Sequence, residues 1–259
     1  MSTKTAIITG GAGGLGRALD DALRARGWTT VPVDLSGPAL DALPPLPDRL
    51  PRACDLTNPN AMAALCAEVR TLRPSIDLVI YNAGVTQIGP LTDLPEATHR
   101  RLFDINYFAA VTMARELLPD LRASRGTHLA ISSVAGFSPL SRRTGYAASK
   151  HALEGFFKSL RSEERAHGVR CVIAAPSFVA TNIGRAAVRA DGLSRPGAAA
   201  DGVDYMPPAT AAAEILRGLD RGRDFIPVGR IARLSYWINR LSPTLFQRLM
   251  ERKIDRDQP

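Results

Sequence analysis

The chain has 259 residues, of which 45% are hydrophobic and 22% charged, and its formal net charge is +8. A chain of this length can bury a large core, so its fold needs no disulfide or structural metal. No segment approaches the roughly 18 consecutive apolar residues of a transmembrane helix. The three cysteines form no CxxC pair, which is typical of a reducing cytoplasm, and the four histidines lack metal-ligand spacing. We therefore expect a cytoplasmic protein without a metal site.

Short apolar runs alternate with helical stretches along the chain. Residues 6–8 form an apolar run closed by glycines, which is typical of a buried strand and its turn. Further strands are predicted at residues 29–33, 76–80, 127–131, 169–175 and 225–228. Helices are predicted at residues 15–26, Pro59–Leu72 with Asn58 as N-cap, 97–121, 145–167 and 209–219. This alternation predicts an α/β fold, a single domain over residues 1–259 with a parallel sheet covered by helices on both faces.

A glycine-rich turn joins the first strand to the first helix. Residues 9–16 read TGGAGGLG, which fits both G-x-G-x-x-G and T-G-x-x-x-G-x-G. Glycines let backbone N–H groups approach a pyrophosphate, and the following helix N-terminus favours its negative charge. Such a motif alone also fits a bare flexible turn. Its place between a strand and a helix favours a Rossmann-type, doubly wound dinucleotide-binding sheet.

Asp34 ends the second predicted strand, 20 residues after Gly14. A carboxylate at that place accepts hydrogen bonds from the adenosine ribose hydroxyls and repels the 2′-phosphate of NADP. The glycine loop contains no lysine or arginine before Arg17 that could bind such a phosphate. The sequence therefore favours NAD as the cofactor. The alternative is that Asp34 is only a solvated residue at the end of its strand.

Tyr146 and Lys150 are four residues apart near the start of a predicted helix, so they share one face. A nearby ammonium stabilises a phenolate, and we expect it to lower the tyrosine pKa. A tyrosine placed in this way can take a proton from an alcohol as hydride leaves the carbon. Y-x-x-x-K is common by chance when it stands alone.

Two further polar residues support this constellation. Ser133 ends the strand before that helix, and its hydroxyl can hold a substrate oxygen while charge develops. Its neighbour Ser132 is predicted to be structural. Asn106 lies inside the predicted helix 97–121, where asparagine is mildly unfavourable unless it is used. It could also be an ordinary polar helix residue.

Taken together, these motifs resemble the short-chain dehydrogenase/reductase family, in its common subfamily of about 250 residues. The matching residues follow the family's order and spacing: Thr9, Gly10, Gly14, Gly16, Asp55, Leu56, Asn82, Ala83, Gly84, Asn106, Ser133, Tyr146, Lys150, and Pro176 through Thr181. The combined match is far more specific than any one motif.

The resemblance implies a role for each matching residue. Tyr146 is the acid/base, Ser133 orients the substrate, Lys150 binds the nicotinamide ribose, and Asn106 holds a water that links Lys150 to solvent. Cofactor-binding residues are expected at Thr9, Gly10, Gly14, Leu15, Gly16, Asp34, Asp55, Leu56, Asn82, Ala83, Gly84, Tyr146, Lys150, Pro176, Val179 and Thr181. Two positions depart from the family pattern. Ser177 stands where the family usually has glycine, and Tyr81 stands where it often has asparagine.

The substrate pocket is the least determined part of the site. We expect Gln87, Phe137, Leu140 and Phe178 to line it, which favours a hydrophobic or aromatic secondary alcohol, although each of them could instead pack on neighbouring loops. Arg142 and Arg143 could bind an acidic group, but solvated surface arginines are the simpler interpretation. Residues 183–208 are poor in periodicity, which is typical of a substrate lid.

The C-terminal segment 229–256 reads as a basic amphipathic tail. Between Arg221 and Arg256 there are nine arginines or lysines and three carboxylates, with tryptophan, leucine and phenylalanine at helical spacing. Two interpretations stay open: the tail lies on an anionic membrane surface, or it covers the pocket or a partner subunit. Elsewhere there is no basic stripe with interleaved aromatics, so no nucleic-acid binding is expected.

The leading functional hypothesis is an oxidoreductase that transfers a hydride between NAD(H) and a hydrophobic secondary alcohol or ketone, a small-molecule substrate. One alternative is a non-catalytic NAD-binding regulatory protein. Another is an enzyme of the same fold with a different reaction, such as sugar-nucleotide epimerisation, although such relatives are usually longer. The resemblance also implies a homodimer or homotetramer, with residues 97–121 and 145–167 forming the shared bundle.

Overall fold

The structure is a computed structural model that describes residues 3–181, 193–194 and 205–257, with side chains up to residue 251. Most of the predicted lid, residues 183–208, lies outside the described residues.

A seven-stranded parallel sheet forms the centre of the molecule. Its strands are β1 (Thr5–Thr9), β2 (Thr29–Asp34), β3 (Arg52–Ala53), β4 (Leu78–Tyr81), β6 (Thr127–Ile131), β7 (Arg170–Pro176) and β9 (Phe225–Val228). They lie side by side in the order β3-β2-β1-β4-β6-β7-β9. Two further strands, β5 (Thr86–Gln87) and β8 (Leu193–Ser194), form a separate antiparallel pair. The chain order reverses between β1 and β4, so a crevice opens at their carboxyl ends.

Helices cover both faces of this sheet. They are α1 (Gly14–Arg24), α2 (Pro38–Asp41), α3 (Pro59–Leu72), α4 (Glu96–Phe103), α5 (Ala109–Ser124), α6 (Thr144–Glu164), α7 (Pro208–Asp220), α8 (Arg230–Leu241) and α9 (Pro243–Asp257). Successive strand residues point to opposite faces. Ile7 therefore packs into one core with Phe157 of α6, while Ile8 packs into the other with Ile215 of α7. The predicted doubly wound α/β fold is confirmed.

Several predicted boundaries agree with the structure to within a few residues. Helix α3 has the predicted bounds, and the Asn58 side chain accepts hydrogen bonds from the Asn60 and Ala61 N–H groups as its N-cap. Pro32 lies in β2, which is second from the sheet edge, next to a β3 of only two residues. Because β3 pairs only with the last two residues of β2, proline's missing donor is tolerated there.

The long helix predicted at residues 97–121 is interrupted by a wider turn. Helices α4 and α5 are joined without a break by a π-helical segment, Asp104–Phe108. Such π-helical segments interrupt the regular hydrogen bonding of an α-helix and frequently occur at functional sites. Asn106 lies at the centre of this segment and is buried.

The proline-rich segment 35–50, predicted as a loop, contains the short helix α2 and is held at its far end by a buried ion pair. Arg49 donates from Nε to Asp20 Oδ2 of α1 at 2.6 Å, and both side chains are buried. Of the helices within the described ranges, none has the length and apolar content needed to span a bilayer.

Candidate active site

A cleft of about 510 Å³ opens at the carboxyl ends of the central strands. Its walls come from the glycine turn, the ends of β2, β4, β6 and β7, the start of α6 and the first turn of α8. In a doubly wound sheet, ligands bind in this crevice outside the strand ends. The topology therefore brings together residues that are far apart in the chain.

The glycine turn is shaped by two close backbone approaches. Gly10 has φ +63°, in the left-handed region that favours glycine. A Cβ atom on Gly16 would lie 2.2 Å from the Gly10 carbonyl oxygen, so only glycine fits there. At the start of α1, the N–H groups of Gly14, Leu15 and Gly16 have no acceptor within the helix. These donors line the cleft and fit a pyrophosphate.

Thr9 was predicted to bind the cofactor, but its side chain does not line the cleft. Its hydroxyl accepts hydrogen bonds from the Asn82 and Ala83 N–H groups, both at 3.0 Å. The Asn82 side chain in turn donates to the carbonyl oxygens of Thr9 and Gly10 at 3.0 Å. These bonds tie the end of β4 to the glycine turn. Thr9 therefore helps to position the glycine turn through its bonds to the residues that follow β4.

Asp34 lies in the cleft at the end of β2, as expected. Its Oδ2 accepts a hydrogen bond from the Ala12 N–H at 3.0 Å, and its Oδ1 accepts one from the Leu35 N–H at 2.9 Å. The carboxylate is therefore fixed against the glycine turn. The guanidinium of Arg17 donates to the carbonyl oxygens of Ala12 at 3.0 Å and Ala39 at 2.6 Å.

Asp55 and Leu56 line the far end of the cleft. Hydrogen bonds from the Thr57 hydroxyl and N–H lower the pKa of Asp55, and the nearby Arg101 guanidinium adds to this effect. Arg101 also lines the cleft and donates to the Thr57 hydroxyl at 3.2 Å. Arg101 could not be identified from the sequence, because one arginine in a helical stretch carries no distinguishing pattern.

Ser133, Tyr146 and Lys150 meet at the centre of the cleft. The Ser133 side chain lies close enough to Tyr146 to act on the pKa of its phenol. Lys150 is buried, and its Nζ donates to the Ile131 carbonyl oxygen at 2.9 Å and lies 6.0 Å from the centre of the Tyr146 ring. The arrangement offers a hydroxyl pair backed by a buried cation.

The pKa values of this group are governed by burial. Burial raises the pKa of Tyr146, although the Ser133 hydrogen bond and the Arg143 charge oppose the increase. The expectation that the ammonium lowers this pKa is wrong for the protein alone, where desolvation of the phenolate dominates. Burial also lowers the pKa of Lys150 to about 8, against the opposing effect of Glu154.

Asn106 is held between the end of β4 and α6. Its Oδ1 accepts from the Val85 N–H at 2.8 Å, and its Nδ2 donates to the Val85 carbonyl oxygen and the Ser149 hydroxyl, both at 2.9 Å. A Cβ atom on Gly84 would lie 3.2 Å from Asn106 Oδ1 and 3.5 Å from Lys150 Nζ. The side chain therefore braces the wall beside Lys150.

Ser132 lies in the cleft wall but has a structural partner, as predicted. Its hydroxyl donates to Glu154 Oε1 at 2.8 Å, and both side chains are buried. The carboxylate of Glu154 also accepts from Lys158 at 2.7 Å. This chain of contacts fixes the end of β6 to α6.

Of the four predicted substrate residues, Leu140 and Phe178 line the cleft, while Gln87 and Phe137 do not. The Gln87 side chain is buried and donates to the carbonyl oxygens of Gly89 at 2.9 Å and Arg142 at 3.2 Å. Phe137 packs against other aromatic rings beneath α8. Both predictions are wrong, because the two side chains point away from the cleft.

The side chains of Ile88, Arg143, Tyr205 and Ile231 also line the pocket. Arg143, interpreted from the sequence as a solvated arginine, is buried and donates to the Thr86 hydroxyl at 2.9 Å. Arg142 is exposed, with φ +56°. No pattern in the sequence distinguishes these neighbouring arginines.

The two departures from the family pattern have local explanations. The Tyr81 hydroxyl is hydrogen-bonded to His128 Nδ1 at 2.6 Å, and its ring packs on Phe157, so the residue belongs to the core. Ser177 lines the cleft, and its hydroxyl would lie 2.9 Å from a Cβ on Gly229, whose φ is +92°. The serine therefore occupies space left by a glycine at the start of the tail.

Pro176, Val179 and Thr181 also line the cleft, as predicted for cofactor-binding residues. A Cβ atom on Gly14 would lie 3.0 Å from Thr181, so this segment packs directly on the glycine turn. Among the described residues, no group of three histidine, cysteine or carboxylate side chains could hold a metal ion. The three cysteines are buried and free.

Comparisons with known proteins agree with this architecture. A family model described as short chain dehydrogenase matches residues 4–191. The chain is 32% identical over 257 residues to dehydrogenase/reductase SDR family member 7B of Bos taurus, which covers 94% of this chain and 79% of the relative. The Mus musculus protein of the same name is 30% identical over 262 residues, with the same two coverages.

Solved structures show the same fold. A short-chain dehydrogenase from Burkholderia cenocepacia in complex with NADP superposes with a TM-score of 0.82 at 22% identity, covering 96% of this chain and 98% of the other. A short-chain dehydrogenase from Streptomyces avermitilis gives a TM-score of 0.81 at 26% identity, covering 99% of each chain. With a family model that matches most of its length, the chain belongs to the short-chain dehydrogenase family and has that family's nicotinamide-cofactor-binding oxidoreductase fold.

Proposed function

We propose that this protein is an NAD(H)-dependent oxidoreductase that interconverts a hydrophobic secondary alcohol and its ketone. The observation that carries the proposal is that Ser133 and Tyr146 bring two hydroxyls into the cleft beside the buried Lys150 ammonium. In a water-poor site, such an array can stabilise charge that develops on a substrate oxygen.

The residues of the cleft fit a nicotinamide dinucleotide. The α1 N-terminus would hold the pyrophosphate, Asp34 the adenosine ribose, and Asp55 and Leu56 the adenine. Lys150 and the segment around Thr181 would hold the nicotinamide end. When bound, the nicotinamide supplies or accepts the hydride.

The chain's own residues handle the substrate oxygen and its proton. In the oxidative direction, Ser133 donates a hydrogen bond to the substrate oxygen, and Tyr146 takes the hydroxyl proton as the C–H bond breaks and the carbonyl forms. When the oxidised nicotinamide is bound, its positive charge together with that of Lys150, which the Ile131 carbonyl holds in place, would favour the Tyr146 phenolate that accepts this proton. In the reductive direction, Tyr146 returns the proton to the new alkoxide.

Replacement of Tyr146 tests this role. Tyr146→Phe removes only the hydroxyl, so we expect turnover to fall by at least ~100-fold, within the range for general acid–base catalysis. Binding of NADH, followed by fluorescence titration, should persist. Tyr107→Phe, outside the cleft, is the matched control and should retain activity. Full activity of Tyr146→Phe would exclude Tyr146 as the acid/base.

The preference for NAD rests on the fixed carboxylate of Asp34. The Burkholderia cenocepacia structure contains NADP, but at 22% identity it supports the fold alone. In this chain, Asp34 is anchored by the Ala12 and Leu35 N–H groups, and the Arg17 guanidinium is bonded to backbone carbonyls. A carboxylate in this position would repel a 2′-phosphate.

The cofactor preference is tested by titrating the protein with NADH and NADPH. Asp34→Asn keeps a side-chain acceptor and removes the charge, so we expect the ratio of the two dissociation constants to shift toward NADPH by at least ~10-fold, or about 1.4 kcal/mol. Asp41→Asn makes the same charge change at an exposed position outside the cleft and should leave the ratio unchanged. Tighter binding of NADPH by the unsubstituted protein would overturn the preference.

The proposed substrate class follows from the apolar part of the cleft. Leu140, Phe178, Tyr205, Ile88 and Ile231 line it, and such walls bind the hydrocarbon part of a substrate. A panel of secondary alcohols of increasing chain length should show rising kcat/KM. If NADH binds tightly but no member of the panel turns over, the non-catalytic regulatory alternative gains support.

A further inference from the structure

Helix α8 is attached to the body of the protein along one side. Ala232 is fully buried, the Tyr236 ring stacks on Phe225 with centroids 4.8 Å apart, and Asn239 Nδ2 donates to the Phe137 carbonyl oxygen at 2.6 Å. These contacts fix which side of the helix faces outward.

The opposite side of α8 is apolar and exposed. Leu234, Trp237 and Leu241 are 63%, 58% and 81% exposed, and at about 100° per residue they lie within an arc of roughly 60°. Helix α9 continues the pattern with Leu245 at 49% and Leu249 at 45%. Five of the eleven exposed large hydrophobic side chains among the described residues thus lie within this short segment, so they form a patch and are not scattered.

The two helices that carry this patch have a net positive charge, with six arginines and one lysine against three carboxylates between Arg230 and Asp257. Residues 225–250 include four arginines and neither aspartate nor glutamate. Arg230, Arg240 and Arg248 are exposed on α8 and α9, whereas Arg233 bonds Glu214 at 2.8 Å. Arginines that flank leucines and a tryptophan suit a surface with anionic head groups above a hydrocarbon layer.

We propose that the exposed face of α8 and α9 docks the protein onto an anionic lipid bilayer as a peripheral contact. Charge favours this occupant over a second copy of the chain. A two-fold interface through this face would bring together two identical surfaces that each carry a net positive charge. A bilayer that contains anionic lipids instead offers complementary charge to Arg230, Arg240 and Arg248.

This docking does not depend on the proposed reaction, but it has a consequence for it. Ile231, in the first turn of α8, lines the cleft. A bilayer on the outer side of α8 would therefore lie close to the cleft. A lipophilic alcohol dissolved in the membrane could then enter the cleft directly.

Vesicle flotation tests the proposal with the full chain. We expect the protein to float with vesicles of phosphatidylcholine and phosphatidylserine, and to bind vesicles of phosphatidylcholine alone at least fivefold more weakly. The fluorescence emission of Trp237 should shift to the blue on binding. Trp237→Phe should abolish the shift, because the remaining tryptophan, Trp28, lies against Lys4 and outside the proposed contact. High salt should weaken the interaction.

Two sets of variants separate charge from apolar contact. Arg230→Gln with Arg240→Gln, and Leu234→Ser with Leu241→Ser, should each reduce the bound fraction at least fivefold. Arg165→Gln with Arg217→Gln, and Leu72→Ser, make equivalent changes at exposed positions elsewhere and should bind as the unsubstituted protein does. Circular dichroism and NADH titration identify any variant that fails to fold.

Two outcomes would overturn the proposal. The first is no binding of the unsubstituted protein to anionic vesicles, or binding that the tail variants leave unchanged. The second is a concentration-dependent oligomer that Leu234→Ser with Leu241→Ser dissociates, because the face would then be covered by a second copy. Loss of vesicle binding with normal turnover would leave the proposed reaction intact.

Discussion

At the scale of single residues, burial determines the charge of His128, which lies in the central sheet. His128 of β6 is fully buried, and desolvation lowers its pKa to about 4, although Glu164 opposes the decrease. Its Nδ1 is hydrogen-bonded to the Tyr81 hydroxyl, while its Nε2 has no partner among the described residues. The folded protein therefore holds this histidine neutral at physiological pH.

This histidine predicts a loss of stability in mild acid. The unfolded chain binds a proton near the ordinary histidine pKa of 6.5, whereas the folded protein binds it only near 4. The stabilisation is present above pH 6.5 and is lost as the pH falls toward 4. Between pH 7.5 and 5, we expect this site to remove about 2 kcal/mol from the free energy of unfolding in urea.

His128→Gln should flatten this pH dependence, even if it lowers stability at pH 7.5. Glu164 does not produce the same dependence of stability on pH between 5 and 7.5. Its ordinary pKa of 4.5 already lies below that range, and the Arg122 guanidinium lowers it further. The exposed His151 provides the matched substitution, and His151→Gln should retain the full dependence. An unchanged slope in His128→Gln would contradict the assignment.

The proximity of Tyr146 and Lys150 could be predicted from spacing, but the pocket lining could not. Tyr146 and Lys150 lie one helical turn apart, so their shared face follows from the helix alone. Gln87 shows the opposite case. Thr86 and Ile88 line the cleft, and because strand side chains alternate, Gln87 between them points away. Deciding which of three neighbours faces the cleft requires a register that sequence pattern does not supply.

At the level of elements, one buried ion pair holds the segment between β2 and β3 against α1. Asp20 Oδ2 accepts from Arg49 Nε, and its Oδ1 accepts from the Thr30 hydroxyl. Asp20→Ala leaves the buried Arg49 without this partner, so we expect a loss of about 3 kcal/mol in the free energy of unfolding, measured in urea.

The same arginine supplies an internal control. Arg49 also donates from Nη2 to Asp21 Oδ1 at 2.7 Å, but the Asp21 side chain is 67% exposed. Asp21→Ala should therefore cost less than about 1 kcal/mol. Equal losses from the two substitutions would show that burial of Asp20 does not control the effect.

Strands and helices with strong local signals were predictable, while irregular elements were not. Asn58 and Pro59 fix the start of α3 through local capping alone. The π-helical segment Asp104–Phe108 depends instead on contacts of Asn106 with Val85 and Ser149, which lie far away in the chain. The pairing of β5 with β8 likewise joins segments more than a hundred residues apart.

At the scale of the whole molecule, the strand order explains why the candidate site residues meet. The glycine turn, Asp34, Asn82, Ser133 and Thr181 follow different parallel strands, whose carboxyl ends reach the same edge of the sheet. This convergence could be predicted, because it follows from the strand–helix alternation.

A cluster of aromatic side chains, here called the aromatic patch, lies around the π-helical segment and α6, and Phe108 is its exposed member. The ring of Phe108 is 53% exposed, and Tyr107 packs edge-on against Phe103, Phe108 and Phe156. Clustered aromatic residues are enriched at protein–protein interfaces. This patch supports the proposal that the chain forms a homodimer or homotetramer through the helices around residues 97–121 and 145–167.

Light scattering of Phe108→Asp tests whether this aromatic patch joins subunits. An aspartate in the centre of an apolar interface would be buried without a partner, so we expect the oligomer to dissociate at micromolar concentration. Leu72→Asp introduces the same charge at the end of α3, where the leucine is 43% exposed, and should leave the mass unchanged. If the unsubstituted protein scatters as a monomer, or if Phe108→Asp keeps the full mass, the patch does not join subunits.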